Sequence, residues 1–199
     1  MKSTTVALLL LLTATLATIQ AEAQKRRVYI PAWTFQQMNT TIDGISVGLW
    51  NFSDSIKRTN TNGIRFSLIG EGILAAFVPQ SPIVENDSAL DAMRTEIPSE
   101  RINGINISGT GIAGDYYLNG ISIGLIGHFT FKTNGITASA LNFSEIHNGI
   151  QFAIFLNECY RMRGIQIGAV NKSKRTKGIQ IGLWNVNERR KLPLINWNF

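Results

Sequence analysis

Three groups of side chains in this sequence could carry chemistry: serines between glycines, two histidines with one cysteine, and a lysine- and arginine-rich C-terminal region. Gly44-Ile-Ser-Val-Gly48 and Gly120-Ile-Ser-Ile-Gly124 match the Gly-x-Ser-x-Gly string in which a strained turn exposes a nucleophilic serine. A working elbow also needs a base and a group to orient that base, and no plausible partner set accompanies these strings. His128 and His147 have no carboxylate at metal-ligand spacing. Cys159 has Glu158 beside it but no CxxC partner, and Arg161 and Arg163 give it only a weakly electropositive setting. The expectation is a non-enzymatic protein with no catalytic residue, no metal site and no cofactor.

The basic residues are the one electrostatic signal. The chain carries 19 Lys+Arg against 13 Asp+Glu, a net charge of +6. Residues 157–199 hold Arg161, Arg163 and seven further cations against Glu158 and Glu188. Those seven, Lys172, Lys174, Arg175, Lys177, Arg189, Arg190 and Lys191, are the candidate contacts to an anionic lipid headgroup, lipopolysaccharide phosphate or acidic glycan. Solvated, lysine-rich turns are the plain alternative. Nucleic acid is not expected as a partner, because the first residues read as an export signal. Met1-Lys2, the apolar run Val6–Leu12 and the small-x-small site Ala21-Glu22-Ala23 make residues 1–23 a secretory signal peptide, leaving 24–199 as one β-repeat domain.

These side chains must be positioned by a repeat. Gly-Ile recurs with alternating partners at Gly44, Gly63, Gly104, Gly120, Gly135, Gly149, Gly164 and Gly178, and from Gly104 onward the spacings are 16, 15, 14, 15 and 14. The Ser strings above are products of this phrase. Within each unit Ile, Ile and Leu alternate with Gly, Gln or Ser, the period of a β-strand. Five units open with Asn-Gly, which supplies the positive-φ residue of a tight turn. Residues 79–101 interrupt the pattern with Pro79, Pro82 and Pro98. Asn86-Asp87-Ser88 there can cap a short helix through Ala89–Glu96, so the insertion is expected to be irregular and partly helical.

The units Gly164-Ile-Gln-Ile-Gly-Ala-Val-Asn171 and Gly178-Ile-Gln-Ile-Gly-Leu-Trp-Asn185 carry a resemblance. Over residues 44–199 the chain resembles uncharacterised bacterial surface-repeat proteins with tandem Gly-Ile-Gln-Ile-Gly-Leu-x-Asn units, which implies a cell-envelope or surface location and no catalytic residues. The fold expectation is all-β. The preferred form is an antiparallel meander closed into an outer-membrane β-barrel, with outer-membrane lipid and the assembly machinery as partners. A β-solenoid and a soluble β-sheet protein are the alternatives. The barrel reading rests on the aromatic end Ile195-x-Trp197-x-Phe199, which looks like a barrel-closing strand. It rests also on the polar stretch Asn171–Lys177, judged unfit to line a core. Its function would be structural or passive permeation; the alternative is a soluble exported module that binds anions through its basic turns.

Overall fold

A computed structural model describes residues 27–29, 33–35, 39–49, 58–77, 81, 83–94 and 98–199; the leader expected at 1–23 lies outside the described residues. The strands are β1 (Arg27–Tyr29), β2 (Trp33–Phe35), β3 (Thr40–Gly48), β4 (Thr59–Ser67), β5 (Glu100–Ser108), β6 (Gly111–Ala113), β7 (Tyr116–Gly124), β8 (Gly127–Ile167), β9 (Val170–Val186) and β10 (Lys191–Asn198). A 3-10 turn at Gly72–Phe77 and helix α1 (Asp87–Arg94) interrupt the series. Asn86 caps α1 by accepting the Ala89 N–H at 2.8 Å.

The repeat is a parallel β-solenoid. Gly44 lies beside Gly63, Gly63 beside Gly104, Gly104 beside Gly120 and Gly120 beside Gly135, all in parallel register; Gly164 lies beside Gly178 in the same way. Each unit is one coil, and β8 is so long because the chain runs through more than two coils without leaving extended geometry. The antiparallel barrel is therefore not the fold. Asn-Gly does mark a corner with positive φ, but the chain there turns into the next coil and does not fold back as a hairpin. Among the described residues only β10 runs antiparallel, pairing Ile195 with Ile181 and Trp197 with Ile179. It closes the stack, and Pro193 with the register shift between Leu192 and Leu194 blunts the edge it leaves. Exposed Phe199 ends this cap rather than a barrel seam.

The polar face of each strand turns inward. One buried column runs Ser46, Arg65, Asn106, Ser122, Thr137, Gln151, Gln166, Gln180. Polar side chains are costly to bury unless each finds a partner. Where glutamine stacks on glutamine each supplies one for the next, while the Ser46 and Thr137 hydroxyls find none among the described residues. Gln180 Nε2 donates to Gln166 Oε1 at 2.8 Å, and Gln166 Nε2 to Gln151 Oε1 at 2.7 Å. On the second wall Asn142 Nδ2 donates to Asn157 Oδ1, Asn157 to Asn171 and Asn171 to Asn185, at 3.0, 2.9 and 2.7 Å. A third ladder lies along the corner, from Asn148 through Asn134, Asn119, Asn103 and Asn62 to the acceptor Asp43. The stretch 171–177 lines the interior after all, because Asn171, Ser173 and Thr176 point in while Lys172, Lys174, Arg175 and Lys177 point out.

Several interior positions hold ionisable groups, among them Arg65, Glu100, His128 and His147. Arg65 is fully buried, with Nε 2.8 Å and Nη2 3.2 Å from the two Glu100 carboxylate oxygens and Nη1 bonded to Ser67 and Asn106. Burial is the largest single influence and works against its charge, but Glu100, Tyr116 and Glu71 together outweigh it and hold the guanidinium protonated. Asn106 Nδ2 then donates to Ser122 Oγ, which lies 2.7 Å from His128 Nε2. His128 Nδ1 faces Asn142 Oδ1 at 3.2 Å, and Asn142 has spent its Nδ2 on Asn157 and on the Phe152 carbonyl. Nδ1 must therefore carry the proton, with Nε2 accepting from Ser122. One hydrogen-bonded chain thus threads from Glu100 to Asn185.

The apolar face turns outward. Ile105, Ile107, Ile121, Ile123, Leu125 and Ile136 are 37–78% exposed, and Ile181 and Leu183 continue the face with 41% and 73%. Over the other wall α1 and the 3-10 turn cover an apolar cluster in which Ile83, Leu90 and Ala75 pack on Phe131, Phe143 and Tyr160. Phe129 stacks on Phe143 and Tyr117 on Phe131, with centroids 4.7 and 5.4 Å apart. Either sheet reading, barrel or soluble core, makes Ile123→Arg the more damaging change and Ser122→Arg the milder one. The solenoid reverses that order. Ser122→Arg entombs an unpaired charge and is expected to cost about 3–5 kcal/mol, whereas Ile123→Arg is expected within about 0.5 kcal/mol of the parent. Urea denaturation of the two variants checks this, and equal losses would contradict the assigned facing.

Candidate functional site

The groups that looked reactive are locked away. Cys159 is fully buried, and burial pushes its thiol up to about 12. Burial lowers both His128 and His147 to about 4, so neither carries charge at neutral pH. Both nucleophile-elbow serines, Ser46 and Ser122, lie inside the coil. No group of three His, Cys, Asp or Glu converges to hold a metal among the described residues.

Two cavities open on the outer side of the second wall. The first, about 390 Å³, is lined by Leu74, Ile83, Met93, Phe129 and Phe143, with Glu145 as its carboxylate beside Asp115. Burial raises Glu145 to about 7, and its carboxylate accepts the Val84 N–H at 3.2 Å. Ser81 makes a parallel contact by donating to Glu158 at 2.9 Å. These carboxylates anchor the insertion to the wall, and nothing beside them is placed to react.

The second cavity, about 670 Å³, lies at the C-terminal end and gathers Arg161, Arg163, Lys174, Arg175, Lys177 and Arg189 around Tyr160 and Phe199. The solenoid register makes this cluster. Arg161 sits beside Arg175 and Arg163 beside Lys177 on adjacent coils, one strand spacing or about 4.8 Å apart. Like charges set opposite one another destabilise a sheet unless an anion lies between them. For Arg161 and Arg175 that anion is Asp87 at the start of α1: Arg161 Nη2 lies 2.6 Å from Oδ1, and Arg175 pairs with Oδ2. The Arg161 hydrogen bond, helped by the Tyr160 hydroxyl and Arg175, holds the Asp87 carboxyl below its usual range. Glu188 at the rim is engaged with the Thr176 N–H and with Asn198 Nδ2. Counting Glu85, Asp87 and Glu188 against the six cations leaves a surplus of three positive charges. Arg163 and Lys177 have no carboxylate paired with them among the described residues.

No family model, curated protein or solved structure matches this chain. The site is therefore argued from its own geometry. Of the seven basic residues singled out in the sequence, the structure brings Lys174, Arg175, Lys177 and Arg189 to the groove. Lys172 stands apart on the wall, in register with Glu158. Arg190 is used by the cap, with Nε on Asn196, Nη2 on the Trp197 carbonyl and the guanidinium 4.4 Å over the Trp197 ring. Lys191 merely opens β10. Arg161 and Arg163 were passed over as site residues, although their distance of 14 from Arg175 and Lys177 equals the last repeat spacing. No helix among the described residues is long and apolar enough to cross a membrane.

Proposed function

We propose that this protein is an exported, non-enzymatic β-solenoid that binds a polyanion of the cell surface in its C-terminal basic groove. The ligand class is a polymer bearing phosphate, sulfate or carboxylate groups, such as lipopolysaccharide or an acidic glycan. The observation that carries the reading is the uncompensated register pair Arg163 and Lys177 at the mouth of a cavity with six cations. Stacking them costs stability, and an anion bridging the two coils would return it, as Asp87 does for the neighbouring pair. Export is argued from the residue pattern of 1–23 alone.

The test uses a sulfated polysaccharide and purified lipopolysaccharide as probes, with titration calorimetry at two salt concentrations. Lys174→Glu with Arg189→Glu, both outward-facing, is expected to weaken binding at least tenfold and to flatten its salt dependence while leaving the melting temperature unchanged. Equal affinity for parent and variant, or no binding of either probe, would sink the proposal.

A further inference from the structure

The outward face of the first wall has no charge on it. In every coil the positions one, three and five after the stacking glycine are Ile, Val, Leu, Phe or Ala, apart from Gly109. Ile195 and Trp197 of β10 extend the face by one strand. Nine strands at about 4.8 Å, each offering a stretch of roughly 18 Å, give a flat apolar face of roughly 700 Å². The largest apolar patch of a typical monomer is roughly 300–600 Å². A stable interface buries about 800 Å² on each partner.

We infer that this face is covered by a second copy of the same chain, packed face to face with the two solenoid axes antiparallel. A two-fold axis along the strand direction makes such an interface self-complementary, since it sets coil against coil in reverse order. It also brings the two corner columns together. That column reads Asp43, then Asn62 through Asn148, then Arg163 and Lys177. In reverse order Asp43 of one copy meets Lys177 of the other at both ends of the interface, Arg163 meets the carbonyl-bearing amide of Asn62, and the four remaining asparagines meet one another between them. Parallel axes would instead set each corner column against the opposite edge and lose this match. The rim also speaks against a bilayer as the occupant. A lipid-seated surface is expected to be ringed by basic residues, whereas along the corner edge five of the eight positions are asparagines whose amides are bonded to the neighbouring coil, and the opposite edge carries Phe155 and Trp184.

Sedimentation equilibrium and light scattering on the chain as purified after export test the inference. The parent is expected to give twice the monomer mass. Ile123→Arg, whose side chain is 49% exposed, is expected to give the monomer mass with unchanged circular dichroism and the melting temperature that the parent shows once diluted to its monomer. Asp43→Lys and Lys177→Asp are each expected to weaken the dimer about tenfold, and the two together to restore it. A monomeric parent over the whole concentration range would overturn the inference, as would binding of the monomer to neutral phosphatidylcholine vesicles. Additive losses in the double variant would overturn the antiparallel arrangement. The groove variants Lys174→Glu and Arg189→Glu lie off this face and should leave the mass unchanged; Lys177 belongs to both sites, so Ile123→Arg and Asp43→Lys, which lie outside the groove, separate failure here from failure of the polyanion reading.

Discussion

Gly135→Ala is expected to abolish folding, so that the variant is recovered as aggregate or as an unfolded chain. Gly135 adopts φ +142°, a region that L side chains rarely enter, and this alone costs about 1–3 kcal/mol. The larger part of the effect is steric. A Cβ at this position would sit 1.9 Å from the Gly120 carbonyl oxygen and 2.8 Å from its carbon. Those atoms are backbone of the neighbouring coil and cannot rotate away, so relief requires the coils to part by more than an ångström. Parting them breaks the strand pairing around the corner and, with it, the Asn134–Asn119 rung at 2.7 Å. The same contact recurs at Gly104, Gly120, Gly149, Gly164 and Gly178, where the distance is 1.9–2.1 Å. Gly114→Ala separates the two causes. It has φ +148°, but the nearest atom to its Cβ is a Tyr116 ring carbon at 3.1 Å. It is expected to fold with a modest loss, read by circular dichroism and urea titration. Equal damage at 114 and 135 would show that dihedral strain, not coil stacking, explains the glycine column.

The glycine column also shows what could be read in the sequence and what could not. The strand period, the coil length and the corner at Asn-Gly were legible, because each depends on local geometry. The direction of the next strand was not, because Asn-Gly with a positive-φ glycine serves a hairpin and a solenoid corner alike. The barrel reading also sets Ile and Leu outside and Gly, Gln and Ser inside, but against lipid; in the solenoid the same facing has a different cause. Ile and Leu go inward by default because apolar burial is favourable, but a repeat in register offers polar side chains a second route. Gln151, Gln166 and Gln180 are each placed one coil from an identical side chain, and every rung made repays part of the desolvation of the next. No single unit contains this information; it exists only between units. The groove followed from the same register, since Arg161 and Arg163 become site residues only when 14 residues of chain are seen to be one turn of a coil.

Acidification from pH 7 to pH 4 is expected to cost about 6 kcal/mol of stability through His128 and His147, offset in part by Glu145. Both ionise near 6.5 when unfolded, and burial lowers both to about 4 in the coil. The folded state therefore binds fewer protons than the unfolded one between these values. Their contribution is complete above pH 6.5 and falls away as pH drops toward 4. One pKa unit is worth 1.36 kcal/mol, so each histidine accounts for about 3 kcal/mol. Together they approach the whole stability of a domain held by about 5–15 kcal/mol. Glu145 runs the other way. Raised to about 7, it contributes fully below its ordinary 4.5 and loses that contribution as pH rises through 7, so it offsets some of the acid loss. The coil itself names the substitutions that test the claim. His128 begins the column that continues as Asn142, Asn157, Asn171 and Asn185, so His128→Asn keeps a donor toward Asn142 Oδ1 without a titratable ring. His147 shares its column with Met162 and Thr176, so His147→Met carries a side chain the neighbouring coil already accommodates. In denaturant titrations each single variant should lose about 3 kcal/mol less than the parent between pH 7 and 4, and the pair about 6 kcal/mol less, so that the double variant gains stability in acid through Glu145. If the double variant loses as much stability in acid as the parent, the buried histidines are not the cause of the acid loss.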